Sequence, residues 1–210
     1  MSHAAEFSVG SVDVSRETFE ALQAYEALVR RWTPAINLVS KTSVDDLWTR
    51  HIADSAQVFA AVSAVAARSW VDLGSGGGFP GLVVAILAKE LRPDLRVTLV
   101  ESDLRKATFL RQAAQALSLQ VAVHSARIES LAPQGADTLS ARALAPLRDL
   151  LAFAERHLRK DGTAVFPKGA RFGDELEEAR KSWAFDVDTK PSLSDSEAAI
   201  LVIRNIHRYD

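Results

Sequence analysis

The chain has 210 residues, 48% of them hydrophobic and 25% charged, which excludes a disordered polymer and is enough for a core that needs no staples. It contains no cysteine, which excludes a disulfide framework, a thiolate metal site and a cysteine nucleophile. A net charge of −2 gives no whole-molecule attraction to nucleic acid, so any such contact must come from a local basic face.

Met1 to Gly10 has no basic flank leading into an apolar run and does not read as a secretory signal. The most apolar stretch, Gly81 to Ala88, is far shorter than the roughly 20 residues that span a bilayer. A soluble, cytoplasmic protein is expected, with monomer as the default. Ser15 to Trp32 reads as an amphipathic helix capped by Ser15, with Phe19, Leu22, Tyr25, Leu28 and Trp32 on one stripe and Pro34 ending it. After a loop over Asn37 to Thr42, Ser43-Val44-Asp45-Asp46 has the form of a capping box. It is expected to open a second helix running through Asp54, with the pattern continuing to Ala67.

At Ser69 the pattern changes. Trp70 to Leu73 is a short apolar run stopped by glycines, as in a buried strand. Helices are expected over Pro80 to Glu90, Asp103 to Leu117, Pro146 to Leu158 and Asp174 to Trp183. Strands are expected over Arg96 to Glu101, Gln120 to His124, Asp137 to Ser140, Thr163 to Pro167 and Ala198 to Ile206, with a turn at Lys160-Asp161-Gly162. Alternation of this kind implies an α/β fold: a mostly parallel, doubly wound sheet, here with an antiparallel edge hairpin. Residues 1–67 are expected to pack as a helical cap on the α/β unit of residues 68–210, because no Pro/Gly/Ser linker separates the two.

The run Gly74-Ser75-Gly76-Gly77-Gly78-Phe79-Pro80-Gly81 joins the first sheet strand to a helix. Ligands in such sheets bind beyond the carboxyl ends of the strands, and a helix start there offers free N–H groups. Glu101, ending the adjacent strand, is placed to accept two ribose hydroxyls. Asp72 can order the turn or meet the charged end of a ligand. The glycines alone leave two readings open, because Gly76 to Gly81 also satisfies the dinucleotide fingerprint G-x-G-x-x-G. An acid before the first glycine, and Pro80 where a dinucleotide fold usually offers an N–H, count against a nicotinamide enzyme. Five histidines are scattered, with no two at ligand spacing, and no metal is expected.

Beyond the turn, several dispersed segments carry a resemblance. They are Asn37-Leu38, Arg50-His51-Ile52-Ala53-Asp54-Ser55, Lys106-Ala107-Thr108-Phe109-Leu110-Arg111, Arg127-Ile128-Glu129, Ser140-Ala141-Arg142-Ala143 and Lys168-Gly169. With them the chain, from about Trp32 to Ile203, resembles the RsmG family, also called GidB, the bacterial small-subunit ribosomal RNA guanine-N7 methyltransferases. The resemblance implies a class I, Rossmann-like methyltransferase fold and S-adenosylmethionine as cofactor, with 16S ribosomal RNA or the 30S subunit as partner.

Position by position, it implies that Gly74 and Phe79 line the cofactor pocket, together with Gly76 and Gly78 of the same turn. Ile128 and Glu129 flank the adenine, and Arg142 stands at the reactive side as the candidate catalytic residue. Proline is common in the family where this chain has Gly77, a departure that should loosen the turn. Candidate phosphate contacts are Arg50, His51, Lys106, Arg111, Arg127, Arg142 and Lys168. Three other readings stay open on the residues: a small-molecule methyltransferase, an NAD(P)-dependent oxidoreductase and a non-catalytic RNA-binding protein.

Overall fold

The computed structural model describes residues 7–62 and 67–209. Phe7–Val9 (β1) and Val12–Val14 (β2) pair antiparallel, with Val9 opposite Val12. Gly10 and Ser11 between them both have positive φ, 53° and 69°, as a two-residue hairpin turn requires. This hairpin is absent from the elements expected above, although Gly-Ser between two alternating triplets is a hairpin signal.

Helix α1 spans Arg16–Ile36, and the Ser15 hydroxyl accepts from Thr18 N at 3.3 Å as its cap. Pro34 lies inside the helix instead of ending it. In the last turn its missing N–H removes a single backbone bond, and Asn37 closes the helix in a left-handed conformation, donating to Thr33 O at 2.9 Å. The buried stripe is Thr18, Leu22, Tyr25, Val29 and Thr33. Phe19, Leu28 and Trp32 are only partly buried, so the stripe is rotated from the expected one.

The expected capping box at Ser43 does not form. Lys41–Ser43 is a 3-10 turn, and the Ser43 hydroxyl donates back to Ser40 O at 3.0 Å instead of facing forward. A π-helical segment, Trp48–Ala53, follows and runs directly into α2, Asp54–Ala61. The expected continuation of α2 toward Ala67 falls partly on residues 63–66, outside the described residues.

From Ser69 the elements are β3 (Ser69–Leu73), α3 (Gly81–Leu91), β4 (Arg96–Val100), α4 (Leu104–Ala116), β5 (Val121–His124), β6 (Ala136–Ala141), α5 (Leu147–His157), β7 (Leu158–Lys168), α6 (Phe172–Ala179), β8 (Trp183–Pro191) and β9 (Ala199–Arg208). They form one seven-stranded sheet in the order β5-β4-β3-β6-β7-β9-β8. The first five positions in that order are parallel, while β9 runs antiparallel to both β7 and β8. Order reverses between β3 and β6, the switch point where such sheets bind ligands.

Two boundaries differ from expectation by more than two residues. Lys160-Asp161-Gly162 lies within β7, which starts at Leu158 opposite Ala136 and absorbs the extra residues in an irregularity between Ala136 and Thr138. Trp183 opens β8 instead of closing a helix, because its indole is buried in the core against that edge of the sheet.

Strand alternation feeds two cores. Trp70 faces α3, α1 and α2, while Val71 and Leu73 face α5 and the far strands. Helix α3 is buried on every side from Gly81 to Ala88, which a helix hydrophobic all round requires. α1 and α2 supply the cover, so residues 7–62 share one continuous core with the sheet. No helix among the described residues is long and apolar enough to cross a membrane.

Candidate active site

β3 and β4 are parallel, with Leu73 beside Val100, so both chains emerge on one edge of the sheet. Ser75 N donates to Val100 O at 3.0 Å, and the Ser75 hydroxyl donates to Asp72 O at 3.0 Å. These bonds fold the glycine run back over the strand ends. Gly74 has φ 65°, and a β-carbon there would stand 2.7 Å from Leu144 Cδ1. Gly78 has φ 93° and is packed so closely that a β-carbon would meet Tyr25 Oη at 2.6 Å. Both positions need glycine for conformation, and Gly78 also for space, since Tyr25 and Leu82 are buried against it.

Above the turn lies a cavity of about 830 Å³, within the usual range for a small-ligand site. Gly74, Gly76, Phe79, Glu101, Ile128, Glu129 and Arg142 all line it, together with Leu38, Leu144 and Phe153. The Glu101 carboxylate is held rigidly. Its Oε2 accepts from Gly76 N at 2.8 Å and its Oε1 from Asp103 N at 2.7 Å. Each carboxylate oxygen keeps a further lone pair for a donor from the cavity. Ile128 is buried on a 3-10 turn, with Glu129 exposed beside it. The buried His157 ring sits beneath, its Nε2 3.2 Å from Ile128 O.

Asp72 does not reach the cavity, which corrects one of its two expected roles. It is fully buried, accepting from the Ser140 hydroxyl at 2.6 Å and from Gly81 N at 3.2 Å, while Trp70 Nε1 donates to Ser140 Oγ at 2.8 Å. Burial raises its pKa to about 6, against the hydrogen bonds and Arg142 that lower it. It orders the start of α3 from below. Gly78 likewise faces Tyr25 and Leu82, away from the cavity.

Arg142 follows the end of β6, and the next residue, Ala143, holds φ 50°. One guanidinium nitrogen lies 2.6 Å from His51 Nδ1, another donates to Arg50 O at 3.3 Å, and the group sits 5.2 Å above the Phe79 ring. Burial lowers its pKa, opposed by Asp54, Tyr25 and Asp72. His51 is pushed down to about 3 by burial and then by Arg142 and Arg50, so its ring is neutral near pH 7.

A second cavity, about 870 Å³, lies across this arginine. Leu38, Arg142, Ala143, Leu144 and Ala145 are the wall common to both cavities. Arg50, His51, Asp54 and Arg171 line the second one alone. The sequence-derived basic set therefore divides. Lys106 and Arg127 border the first cavity, and Arg50 and His51 border the second.

Arg111 borders neither and instead donates to Val123 O at 3.1 Å, tying α4 to β5. Lys168 lies at the second cavity, but its ammonium is used within the fold. It donates to Ala145 O at 2.9 Å and to Glu175 Oε2 at 2.7 Å, and the same oxygen accepts from Leu147 N. Both corrections have one cause: a long cationic side chain near an open backbone carbonyl or carboxylate is captured by it.

The apolar stripe gives Tyr25 only a core role, yet its hydroxyl donates to Gly77 O at 2.5 Å and its ring packs 5.2 Å from Phe79. A tyrosine on an apolar stripe needs a partner for its hydroxyl, which was the available signal. The Gly77 turn, expected to be loose, is thus pinned from α1. Among the described residues no three His, Cys, Asp or Glu side chains converge as a metal site.

A family model described as "GidB: rRNA small subunit methyltransferase G" matches residues 18–202. A protein named Ribosomal RNA small subunit methyltransferase G from Ruegeria sp. (strain TM1040) is 54% identical over 197 residues, covering 94% of this chain and 95% of that one. One of the same name from Parvibaculum lavamentivorans is 49% identical, covering 94% and 88%. Among solved structures, a methyltransferase from Geobacter sulfurreducens aligns with a TM-score of 0.58 at 15% identity, covering 88% of each chain. An O-methyltransferase from Bacillus cereus in complex with SAH aligns at 0.56 and 15% identity, covering 92% of each. These two show the fold alone, that of class I methyltransferases.

Proposed function

The chain belongs to the GidB family, rRNA small subunit methyltransferase G, and from that premise we propose that it moves a methyl group from S-adenosylmethionine to N7 of a guanine in 16S ribosomal RNA. The observation that carries the reading is the position of Arg142, a cation on the wall between two cavities. One cavity is built on a glycine turn and a tethered glutamate; the other opens toward exposed arginines.

The residues present suit the cofactor. Glu101 offers acceptors for ribose hydroxyls, Ile128 an apolar surface for adenine with Glu129 at its rim, and the Gly74–Phe79 turn a close approach for the amino-acid end. When bound there, the cofactor supplies a methyl group on a sulfonium, which needs no further activation.

Guanine N7 carries an in-plane lone pair and no proton, so the chain need supply no general base. The site agrees: His51 has its Nδ1 engaged by Arg142, and Asp72 is sealed beneath the turn. What remains for the protein is orientation, which can contribute on the order of 7–11 kcal/mol. Arg142 has five N–H donors, and two of its nitrogens are held by His51 and Arg50. Its remaining donors face the cavities and hold guanine O6, which turns N7 toward the first cavity. Arg50 and Arg171 receive backbone phosphates around an unstacked base, with Lys106 and Arg127 on the neighbouring rim. Residues 1–67 and 68–210 act as one structural unit, a cytoplasmic monomer working on RNA or on the 30S subunit.

The test is incubation with methyl-labelled S-adenosylmethionine and either 30S subunits or naked 16S RNA. Label in at least one is expected. No label in either would remove the reading, and protection against heating by NADH but not by S-adenosylmethionine would favour the oxidoreductase.

A further inference from the structure

The second cavity has an acidic wall that orientation through Arg142 leaves unused. Asp54 opens α2 and lines this cavity alone, beside Ser194 and Asp195 from the β8–β9 connection. Arg142 and Arg50 line the same cavity, so Asp54 shares it with two cations as well as with Asp195. Burial, with a smaller push from Asp195, holds its pKa above the usual carboxylate value, opposed by Ser194, Arg142 and Arg50. A carboxylate half-buried on the wall of a roomy cavity can accept from a donor that enters it.

Resting on the function proposed above, we infer that Asp54 is the residue that selects guanine, by accepting the N1–H and N2–H of its Watson–Crick edge. The chemistry of the base requires the pairing. With O6 on Arg142 and N7 toward the first cavity, a guanine directs N1–H and the exocyclic amine into the second cavity. A carboxylate accepts both in a charge-assisted pair. Adenine in the same pose places the N1 lone pair against the carboxylate and is repelled. Methylation at N7 makes the ring cationic and both N–H groups more acidic. The contact therefore tightens as the methyl arrives, the kind of interaction that raises kcat. The competing role, a counter-ion that merely neutralises Arg142, predicts no sensitivity to the exocyclic amine.

The experiment uses 16S RNA ligated to carry guanosine or inosine at the methylated position and assembled into 30S subunits. Inosine keeps N7, O6 and N1–H and lacks only the amine. The native enzyme should lose about 10- to 100-fold in kcat/KM on inosine, the range for one hydrogen bond to a charged group. Asp54→Ala should lose about 100-fold on guanosine, bind S-adenosylmethionine within threefold of the native protein, and show an inosine penalty below about threefold. If Asp54→Ala does not fold, Asp54→Asn carries the same comparison and should show a smaller penalty than the native enzyme. An equal inosine penalty in the native enzyme and the folded variant would overturn the assignment of Asp54 and leave the function standing. Failure of the native enzyme to methylate guanosine would overturn both.

Discussion

The guanidinium of Arg142 and Nδ1 of His51 lie 2.6 Å apart. A guanidinium only donates, so Nδ1 must accept and the imidazole must be the neutral Nε2–H tautomer. The family segments around His51 and Arg142, 91 residues apart in sequence, meet in this bond. It joins the π-helical segment to the end of β6 and sets the angle at which Arg142 faces both cavities.

Replacing Arg142 by lysine keeps the charge and loses the fork. A lysine ammonium cannot hold His51, Arg50 O and a base oxygen in one plane. Methyl transfer should fall about 10- to 100-fold, measured as kcat/KM at saturating cofactor, with the unfolding midpoint little changed.

The His51 pKa is depressed from 6.5 to about 3, so the unfolded chain binds a proton there before the folded one does. The stability this contributes is complete above pH 6.5 and is lost as pH falls toward 3. The slope approaches about 1.4 kcal/mol per pH unit. Urea denaturation at pH 7 and pH 4.5 should show a larger loss for the native protein than for His51→Asn, which keeps an acceptor for Arg142 and cannot titrate.

Glu101 holds Gly76 N and Asp103 N with separate oxygens. Glu101→Gln keeps one acceptor and presents an NH₂ to the other N–H. Calorimetric titration should show S-adenosylmethionine affinity weakened about 10- to 100-fold, since hydrogen bonds to charged groups contribute about 1.5–3 kcal/mol.

Valine in place of Gly74 strains a residue at φ 65° and drives its β-carbon into Leu144. Backbone strain of this kind costs about 1–3 kcal/mol, which a chain of this size can survive. The variant should remain folded by circular dichroism and bind no S-adenosylmethionine; retained binding would show the pocket misplaced.

The split of the basic residues can be separated by salt. Lys106→Ala and Arg127→Ala should each lower the slope of log K for RNA against log salt by roughly one. Lys168→Ala should leave the slope unchanged and lower stability by about 2 kcal/mol, because it leaves Glu175 without its cation at a site where Lys168 is only 10% exposed.

Much of this was legible in the chain, and the reasons for the rest are specific. The alternation of strand and helix after Ser69 announced a parallel sheet because a helix between two strands returns the chain to the same edge by a right-handed crossover. The glycine run announced a ligand because so few residues tolerate its φ angles. Less legible were features decided by partners far along the chain. Asp72 could have faced a ligand, but Ser140 on β6 claims its carboxylate. Lys168 could have met phosphate, but Glu175 claims its ammonium. Tyr25 read as core because nothing near it in sequence shows that Gly77 O lies within reach of its hydroxyl. The second cavity draws its walls from the Ser40 loop, α2, the β6–α5 loop and the β8–β9 connection, which no local pattern joins.

The most direct measurement of the central claim is the atom that receives the methyl group. RNA methylated by the enzyme, treated with borohydride and then aniline, breaks at N7-methylguanosine and not at guanosines methylated on an exocyclic nitrogen. The expected result is one cleavage position in 16S RNA, dependent on S-adenosylmethionine and appearing more slowly with Arg142→Lys. Label retained in uncleaved RNA would contradict it, because methylation of an exocyclic amine requires a base, a part this site does not need for N7.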